Sequence, residues 1–465
     1  MLERRLNLLQ AVSVNMSLMV GIGPFITIPA LIATMGGPQS MIGWVLGAAV
    51  ALADGMVWSE LASAFPGSGG TYHFYDAAYA NSRAGRLLKF LFVWQFLFSG
   101  PLEVATGAIG LAEYLGYFYP TLALPAWRWG AVFPSFSGQV VWGQLAAMGV
   151  MATVTCFAYR RIAVAGRLMV GLWIGMLFTV TWVIVTGLTH FDAALAFDFP
   201  EWTWGKGGLT SAGLGMALAI AMYNFFGYYQ ICYLGDEVAN PSQTIPRSIL
   251  ISVAVIAVVY LVMNVAILGV LPWREVVASK YIASDLMLRV HGSRAAALVT
   301  AMIVWTALAS VYSALLGYSR IPYASARAGH FFQAFAQTHP TGNFPHRSLL
   351  LISGIATLAC LANLSTVIQA LVTSRILIQF VGQIVTVFYL RRAVKGSAST
   401  YRMPLYPLPA LIALAGWLFV FCTSEQVVLA YGLLSLLAGV AAFWFWNKAV
   451  TAGRMGAPTD SGTHR

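Results

Sequence analysis

A few ionisable side chains lie inside long apolar stretches, and these residue types could do chemistry there. Glu103 lies midway along one stretch, among the small residues of Ser99–Gly107. A carboxyl group at the centre of a bilayer commonly costs about 2.5–3.5 kcal/mol on insertion scales, so its presence needs a reason. It could pair with a cationic group of a substrate, stay protonated and titrate during function, or hydrogen-bond to a neighbouring helix. The sequence leaves all three roles open.

Three further ionisable residues lie in or beside such stretches. Asp54 is interpreted as a proton site or as a buried partner for a hydroxyl or amide group, so Glu103 and Asp54 are the proton-coupling candidates. Glu60 is expected to pair with a basic residue at the cytoplasmic side. Arg375 precedes Arg391 by about 16 residues, roughly 24 Å along a helix. It is therefore expected near the outer interface, where its side chain snorkels to water, a gate or salt bridge being the alternative.

Other chemistry has little support in the sequence. The seven histidines form no His-x-x-x-His or His/Cys cluster, and the four cysteines have no metal-ligand spacing. There is no Gly-x-x-x-x-Gly-Lys-Ser/Thr loop, so ATP could drive function only through a partner. No loop gathers the Asp, His and Glu residues that a membrane enzyme would need. We predict no enzyme activity, no metal and no cofactor.

Two apolar stretches are interrupted in a similar way, one at Val20–Phe25 and one at Asn224–Tyr229. Glycine weakens a helix and proline removes an amide donor. A helix broken inside the membrane leaves backbone groups without partners, which is tolerable where they line a cavity. Paired breaks in two halves of a chain indicate a transporter binding site. The alternative is that the glycines only allow close helix packing.

Composition places these stretches in a membrane protein. Of the 465 residues, 59% are hydrophobic and 9% are charged, whereas soluble domains are about 25% charged. Because a spanning helix needs roughly 20 apolar residues, we predict an all-α integral membrane protein with twelve transmembrane helices. The predicted spans are 11–34, 41–65, 87–117, 138–158, 163–188, 210–235, 248–271, 294–322, 348–363, 366–390, 406–423 and 427–447.

The net charge of +11 is distributed unevenly over the predicted loops. Most Lys and Arg residues lie on one side, which the positive-inside rule assigns to the cytoplasm. This pattern predicts a multi-pass protein of the plasma or inner membrane with both termini cytoplasmic, in contact with lipid and not with nucleic acid. We expect a cytoplasmic N-terminus at 1–10, a core at 11–390, two further helices at 406–447 and a cytoplasmic tail at 448–465.

Four segments resemble the amino acid–polyamine–organocation (APC) superfamily of transporters. They are Gly21–Phe25, Ser59–Gly70, Gly235–Arg247 and Ser319–Gly329. Their order and spacing match the superfamily but specify no substrate. The resemblance implies a five-plus-five inverted repeat, about 11–188 and 210–390, with discontinuous helices 1 and 6. It also implies a substrate site between helices 1, 3, 6 and 8, and alternating access.

The resemblance and the two breaks together give candidate substrate-binding residues. These are Gly21, Ile22, Gly23, Pro24, Glu103, Phe226, Gly227, Tyr228 and Tyr229. Amides of the first break would flank a substrate carboxylate, because a half-helix N-terminus favours an anion. Carbonyls near Phe226 and Gly227 would suit an ammonium, and Tyr228 lies where similar transporters often have an aromatic gate.

Some residues depart from the superfamily or extend the resemblance. Met176 lies near the place where many relatives carry a helix-five lysine, so a lysine switch is doubtful. Polyamine-type members of the superfamily are similar in having an acidic residue in the region of Glu103, and this resemblance favours a cationic substrate. Their second acidic position corresponds to Tyr229. A cytoplasmic gate is predicted from four residues, Asp236, Glu237, Arg247 and Arg320.

The sequence thus predicts a secondary active transporter of an amino acid or related amine, working by proton symport or exchange. Uptake of a polyamine or other organic cation is one alternative, and a non-transporting nutrient sensor with the same fold is another. An ion channel is less favoured, because its filter usually comes from an oligomeric ring. The oligomeric state is expected to be a monomer or homodimer.

Overall fold

The computed structural model describes residues 6–79, 82–129, 138–160, 165–204, 209–340, 344–393 and 401–451. Residues 1–5 of the predicted N-terminal segment and 452–465 of the predicted tail lie outside this set. The described helices are, in chain order, α1 (Leu8–Met19), α2 (Gly23–Ala33), α3 (Ile42–Ala64), α4 (Thr71–Tyr79), α5 (Arg83–Leu115), α6 (Trp142–Arg160), α7 (Ala165–Thr189), α8 (Ala193–Ala196), α9 (Ser211–Phe225), α10 (Pro241–Leu268), α11 (Trp273–Ala278), α12 (Ile282–His291), α13 (Ser293–Arg327), α14 (His346–Ala359), α15 (Leu364–Arg375), α16 (Gly382–Ala393), α17 (Leu408–Thr423) and α18 (Gln426–Thr451).

Short elements connect these helices. A π-helical segment, Ile376–Val381, joins α15 to α16. Strands β1 (Pro125–Trp129) and β2 (Gly138–Val141) form an antiparallel pair before α6. The 3₁₀ helices among the described residues are Pro38–Met41, Pro120–Ala123, Glu201–Trp204, Gln230–Glu237 and Gln333–Ala336.

Several described helices are suited to a bilayer. Six segments are long and apolar enough to cross it, and a seventh crossing results if α1 and α2 count as one bent span. The six are Pro38–Ala64, Arg83–Leu115, Pro241–Leu268, Ser293–Arg327, Leu364–Arg392 and Gln426–Lys448. The predicted multi-pass α-helical membrane protein is confirmed. The count of twelve spans and the inverted repeat stay predictions, although each of the twelve ranges contains a described helix.

Both predicted helix breaks are present. α1 ends at Met19, α2 begins at Gly23, and the two axes differ by 52°. α9 ends at Phe225, and the backbone of Phe226 is extended. Gly227 has a φ of 108°, which a residue with a side chain rarely adopts. Glycine therefore breaks this helix because it permits the turn.

Glycine also serves close packing, the alternative left open for the breaks. α3 packs against both α9 and α10, while α5 packs against α13 and α15. A Cβ atom on Gly43 or Gly47 would lie 2.7 Å from the Cβ atom of Ala217 or Ala221. Small residues thus let α3 approach α9 closely, which is a common way for membrane helices to associate.

The end of α3 is held by a bidentate ion pair. Arg391 Nε lies 2.6 Å from Glu60 Oε1, and Arg391 Nη2 lies 2.7 Å from Glu60 Oε2. The amide of Met403 also donates to Glu60 Oε2 at 2.9 Å. The expectation that Glu60 pairs with a basic residue is confirmed, and the pair links α3 to α16 and to the segment before α17.

We predict that Gly187→Ala lowers the free energy of unfolding by about 1–3 kcal/mol, as overpacking commonly does. A Cβ atom at Gly187 would lie 2.7 Å from both the Cβ atom and the carbonyl oxygen of Ala266 on α10, and a backbone atom cannot easily move aside. Thermal unfolding of the detergent-purified protein measures the change. Gly175→Ala is the control on the same helix, because no atom lies within 4 Å of that Cβ position. Equal unfolding temperatures for the two variants would contradict the prediction.

Candidate substrate site

The break between α1 and α2 leaves backbone donors free. The amides of Gly21, Ile22 and Gly23 donate no hydrogen bond to another described residue. Pro24, the second residue of α2, has no amide hydrogen. The N-terminus of α2 also carries partial positive charge from the helix dipole. Free donors at a positive helix end favour an anionic group such as a carboxylate.

The break after α9 leaves a free acceptor. The carbonyl of Gly227 accepts a hydrogen bond from the amide of Gln230 at 2.9 Å. The carbonyl of Phe226 accepts none within the described part of the chain. Of the two carbonyls expected to serve a substrate ammonium, only that of Phe226 is therefore available.

Tyr260 of α10 closes the ends of both half-helices. Its hydroxyl donates to the carbonyl of Met19 at 2.7 Å and also lies 3.2 Å from the carbonyl of Asn224. Both carbonyls would otherwise lack partners inside the membrane. The tyrosine therefore ties the two breaks together, a link that the sequence reasoning missed.

A small chamber of about 60 Å³ lies between the two breaks. Its walls come from α1, α2, α5, α9 and α13, which lie in the predicted spans one, three, six and eight. The polar side chains on these walls are Glu103, Thr106, Tyr223, Asn224 and Ser310. The chamber is thus lined by the free backbone groups of the two breaks and by these polar side chains. Apolar residues form the rest of its wall.

Hydrogen bonds fix several of these side chains. Tyr223 donates its hydroxyl hydrogen to Thr106 Oγ1 at 2.8 Å. Asn224 Nδ2 donates to Thr27 Oγ1 at 2.9 Å, which joins α9 to α2. Asn224 Oδ1 is buried and has no hydrogen-bond partner among the described residues. A buried acceptor without a partner is costly, so this oxygen is suited to receive a donor from a bound molecule.

Glu103 faces the chamber and is paired from behind by Arg375. Glu103 Oε2 lies 2.7 Å from Arg375 Nη2, and the two side chains are 11% and 1% exposed. The structure therefore shows an ion pair between Glu103 and a neighbouring helix. This is close to one role considered from the sequence, a hydrogen bond from Glu103 to a neighbouring helix. Glu103 also lines the chamber, so this role does not exclude contact with a substrate.

The expectation that Arg375 snorkels to the outer interface is wrong. Its guanidinium is buried, with Nε donating to Ser99 Oγ and Nη1 donating to Tyr229 Oη, both at 3.1 Å. Arg375 is the last residue of α15, and the π-helical segment follows it. Counting residues along the helix estimates the depth of Arg375 in the membrane. It does not show whether the side chain points to lipid and water or, as observed, towards Glu103 of α5. The salt-bridge alternative is the one observed.

The nine candidate binding residues divide into two groups. Those on the chamber wall are Gly21, Ile22, Gly23, Glu103 and Phe226. Those away from it are Pro24, Gly227, Tyr228 and Tyr229. The breaks therefore identified the location of the chamber, although not every residue beside them lines it.

Tyr228 points away from the chamber. Its hydroxyl donates to Asp54 Oδ2, and the indole nitrogen of Trp417 donates to Asp54 Oδ1 at 3.2 Å. Asp54 therefore has a hydroxyl partner, as one interpretation of the sequence expected. Phe226 and Tyr223 are the aromatic residues on the wall of the chamber, and an aromatic gate at Tyr228 stays a prediction.

The two ends of the chamber differ. At the face where α1 begins, here called the N-terminal face, the amide of Leu6 donates to the carbonyl of Glu237, and the amide of Ala239 donates to the carbonyl of Leu6, each at 2.9 Å. Towards the opposite face, a cavity of about 550 Å³ lies among α2, α5, α6, α9 and α15. Its lining includes Glu113 and Lys280. The structure is thus closed at the N-terminal face and wider at the other.

The predicted gate residues lie at the closed face. The amide of Asp236 donates to Ser68 Oγ at 2.9 Å, and Glu237 contributes its carbonyl to the seal. Across the described ranges, no ion pair joins either acidic residue to Arg247 or Arg320. Backbone hydrogen bonds form the contacts seen here, and a gating role for the four side chains stays a prediction.

A second buried cation, Lys89 of α5, lies near the same face. Its Nζ atom is 2.5 Å from Asp76 Oδ1 and 3.3 Å from His330 Nε2, while Tyr72 Oη is 2.5 Å from His330 Nδ1. An ammonium group can only donate, so His330 Nε2 accepts and Nδ1 carries the proton. Burial lowers the pKa of His330, Lys89 lowers it further, and Asp76 acts in the opposite direction. His330 is therefore neutral at neutral pH.

Comparison with known protein families identifies the family of this chain. A family profile described as "Amino acid permease" matches residues 6–445. The chain belongs to the amino acid permease family. This membership confirms the resemblance to the APC superfamily, which rested on four short segments.

Relatives match the amino acid permease along nearly its whole length. The serine/threonine exchanger SteT of Bacillus subtilis (strain 168) is 24% identical over 96% of this chain and 98% of its own. The human cystine/glutamate transporter is 22% identical over 96% and 86% of the two chains. The branched-chain amino acid permease BcaP of Bacillus subtilis (strain 168) is 22% identical over 96% and 94%. These names cover small polar, anionic and branched amino acids, so similarity alone does not specify a side chain.

We predict that protonation of His330 loosens the N-terminal face. A proton on Nε2 would remove its acceptor role and place two cations side by side. Because the pKa of His330 is lowered, its contribution to the closed conformation is present above the usual histidine pKa of about 6.5. That contribution is lost as the pH falls through the lowered pKa. Hydrogen exchange of α4, which carries Tyr72 and Asp76, should speed up, after correction for intrinsic rates, as the pH falls below about 6.5.

The matched control for this experiment is His330→Gln, whose side-chain oxygen can still accept from Lys89 but does not titrate. Asp76 and Tyr72 face His330, and His73 on α4 is a second histidine with a lowered pKa. The difference between wild type and variant isolates the contribution of His330 from theirs. An identical pH response in both proteins would contradict the prediction.

Proposed function

We propose that this protein is a secondary active transporter of an amino acid, working by alternating access. The observation that carries the proposal is the chamber between the two helix breaks. It offers free amides at Gly21, Ile22 and Gly23 for a carboxylate, and the free carbonyl of Phe226 for an ammonium. An amino acid is a small molecule that carries both groups on adjacent atoms, so one substrate can satisfy both breaks.

The orientation follows from the placement of charge. The N-terminal face carries basic residues that include Arg320, Arg327, Arg391 and Arg392, and the positive-inside rule assigns such a face to the cytoplasm. The described conformation would then be closed to the cytoplasm and wider towards the outside. Transport requires the reverse state, in which the contacts of Leu6 with Glu237 and Ala239, in the segment between α9 and α10, open.

Proton symport and exchange are both compatible with this chamber. Glu103 and Asp54 stay the candidates for proton coupling. Both oxygens of Asp54 accept hydrogen bonds, and the residue does not line the chamber. Glu103 lines it and is therefore the better placed of the two to respond to a bound substrate. Its ion pair with Arg375 favours the ionised carboxylate, so proton coupling at Glu103 would require that pair to loosen.

The alternatives have less support. An organic cation would need an unpaired carboxylate, but Arg375 already occupies Glu103. The relatives described above are named as transporters or permeases of amino acids, which favours transport over sensing. Transport by purified protein in liposomes separates the two, because a sensor would bind the amino acid and move none.

The direct test is exchange in proteoliposomes. Vesicles loaded with an unlabelled amino acid would take up the same labelled amino acid, and a panel of neutral, cationic and anionic amino acids would be tested this way. Uptake driven by an imposed pH gradient in unloaded vesicles would indicate symport, whereas dependence on internal amino acid would indicate exchange. Failure of every amino acid to bind or move would refute the proposal.

We predict that Gly23→Ala reduces exchange at least tenfold without unfolding the protein. The added Cβ atom would lie 2.7 Å from Asn224 Oδ1, so the amide of Asn224 must move within the chamber. Initial exchange rates and the elution profile in detergent measure activity and folding separately. Gly149→Ala on α6 is the control, because no atom lies within 4 Å of its Cβ position. Full activity of Gly23→Ala would mean that this wall does not contact the substrate.

A further inference from the structure

We infer that Arg375 balances the charge of the chamber and thereby restricts the substrate to small amino acids with neutral side chains. This inference rests on the proposed function and adds the substrate class. Arg375 does not line the chamber itself. It acts through Glu103, so it is a positioning and charge-compensating residue whose effect is on specificity.

The guanidinium of Arg375 is fixed on several sides. It pairs with Glu103 at 2.7 Å and donates to Ser99 and Tyr229 at 3.1 Å. Its Cζ atom also lies 5.6 Å from the ring centre of Phe96 and 5.3 Å from that of Phe226, as in cation–π contacts. With 1% of the side chain exposed, Arg375 cannot turn away to leave Glu103 free.

The ion pair makes the net charge of the binding region zero. A zwitterion adds no net charge, so the backbone groups at the breaks can bind both its ends at little electrostatic cost. A cationic side chain would meet a carboxylate that Arg375 has already neutralised. An anionic side chain would meet the negative oxygens of Glu103 first, because Glu103 stands between the chamber and Arg375. Buried charges without partners are costly, so both kinds of side chain are disfavoured.

The size of the chamber limits the side chain further. Its volume is only about 60 Å³. The opposite walls are close together. A Cβ atom on Gly107 would lie 2.7 Å from Val311 Cγ2, and one on Gly21 would lie 3.2 Å from Ser310 Oγ. Small amino acids such as alanine, serine, threonine and homoserine therefore suit this chamber better than the bulkier phenylalanine.

The polar wall is suited to a hydroxyl side chain as well as to a methyl group. Asn224 Oδ1 lacks a partner among the described residues and can accept a hydrogen bond. Ser310 Oγ donates to the carbonyl of Thr306 at 3.1 Å, which leaves its lone pairs free to accept. Serine and threonine side chains could therefore be held without an uncompensated polar group.

The experiment compares two isosteric substrates in proteoliposomes, so that size is constant and only charge differs. One is L-homoserine, and the other is the amino acid with a γ-ammonium in place of its hydroxyl group. We expect wild-type protein to exchange homoserine at least tenfold faster than the cationic analogue. Alanine and serine should compete for uptake, and phenylalanine should not. Equal exchange of the neutral and cationic analogues would overturn the inference.

Three variants test the part that Arg375 plays. Arg375→Gln leaves Glu103 unpaired, so the preference for homoserine should fall at least tenfold. The double variant Glu103→Gln/Arg375→Gln is again neutral and should regain that preference, and Arg375→Lys should keep it. A merely structural role for Arg375 would not be rescued by Glu103→Gln, so failure of the double variant to restore selectivity would contradict the inference.

The outcomes separate the inference from the proposed function. If no amino acid is exchanged by wild-type protein, the proposed function fails. If exchange occurs but is indifferent to side-chain charge or size, the proposed function stands and the inference fails. Should Arg375→Gln not fold, the wild-type selectivity and the Arg375→Lys variant still decide the question, since loss of neutral preference in Arg375→Lys would also contradict it.

Discussion

Backbone groups left without partners inside the bilayer are the constraint on which the rest of this structure depends. Each such group costs several kcal/mol in hydrocarbon, so a helix can be broken there only if something replaces its hydrogen bonds. Part of the replacement comes from the protein. Tyr260 serves the carbonyl of Met19, and Asn15 Oδ1 accepts from the amide of Ile231 at 2.9 Å. The free amides of Gly21–Gly23 and the free carbonyl of Phe226 belong to residues that line the chamber, where a zwitterionic ligand could form the missing hydrogen bonds.

The ion pair between Glu103 and Arg375 connects this chamber to the surrounding helices. It joins α5 to the end of α15. The hydrogen bond from Arg375 to Tyr229 connects this pair to the segment that follows the break in α9. Removing one member of a buried pair commonly costs about 3–5 kcal/mol, because the other charge is left unpaired. α5, α15 and the segment after α9 therefore share one buried charge pair. The π-helical turn that follows Arg375 is a feature often found at functional sites.

Much of the fold could be predicted from the sequence because the determining signals are local. Apolar length indicated the spans, and glycine and proline indicated the two breaks. At Gly227 the positive φ follows directly from residue type. A basic partner for Glu60 was expected from its position at a helix end, and Arg391 is that partner. Family membership followed from segments that are contiguous in sequence. None of these inferences needed to know which face of one helix meets another.

The parts that the sequence did not reveal depend on contacts between distant helices. Arg375 was expected at the outer interface but is buried among the helices, since residue counting does not give the direction of a side chain. Tyr260 and Ser310 carry no motif, and only the packing of α10 and α13 brings them to the breaks. Lys89 is completely buried beside Asp76, although an isolated lysine near a helix end is usually expected to snorkel.

The most direct measurement of the central claim is calorimetric binding of three related molecules to the purified protein: L-alanine, its methyl ester and ethylamine. The ester has no negative charge to place at Gly21–Gly23, and the amine has no carboxylate at all. We predict that only alanine binds, because both helix breaks must be occupied together. Binding of ethylamine or the ester with an affinity close to that of alanine would contradict a site built from the backbone groups of the two breaks.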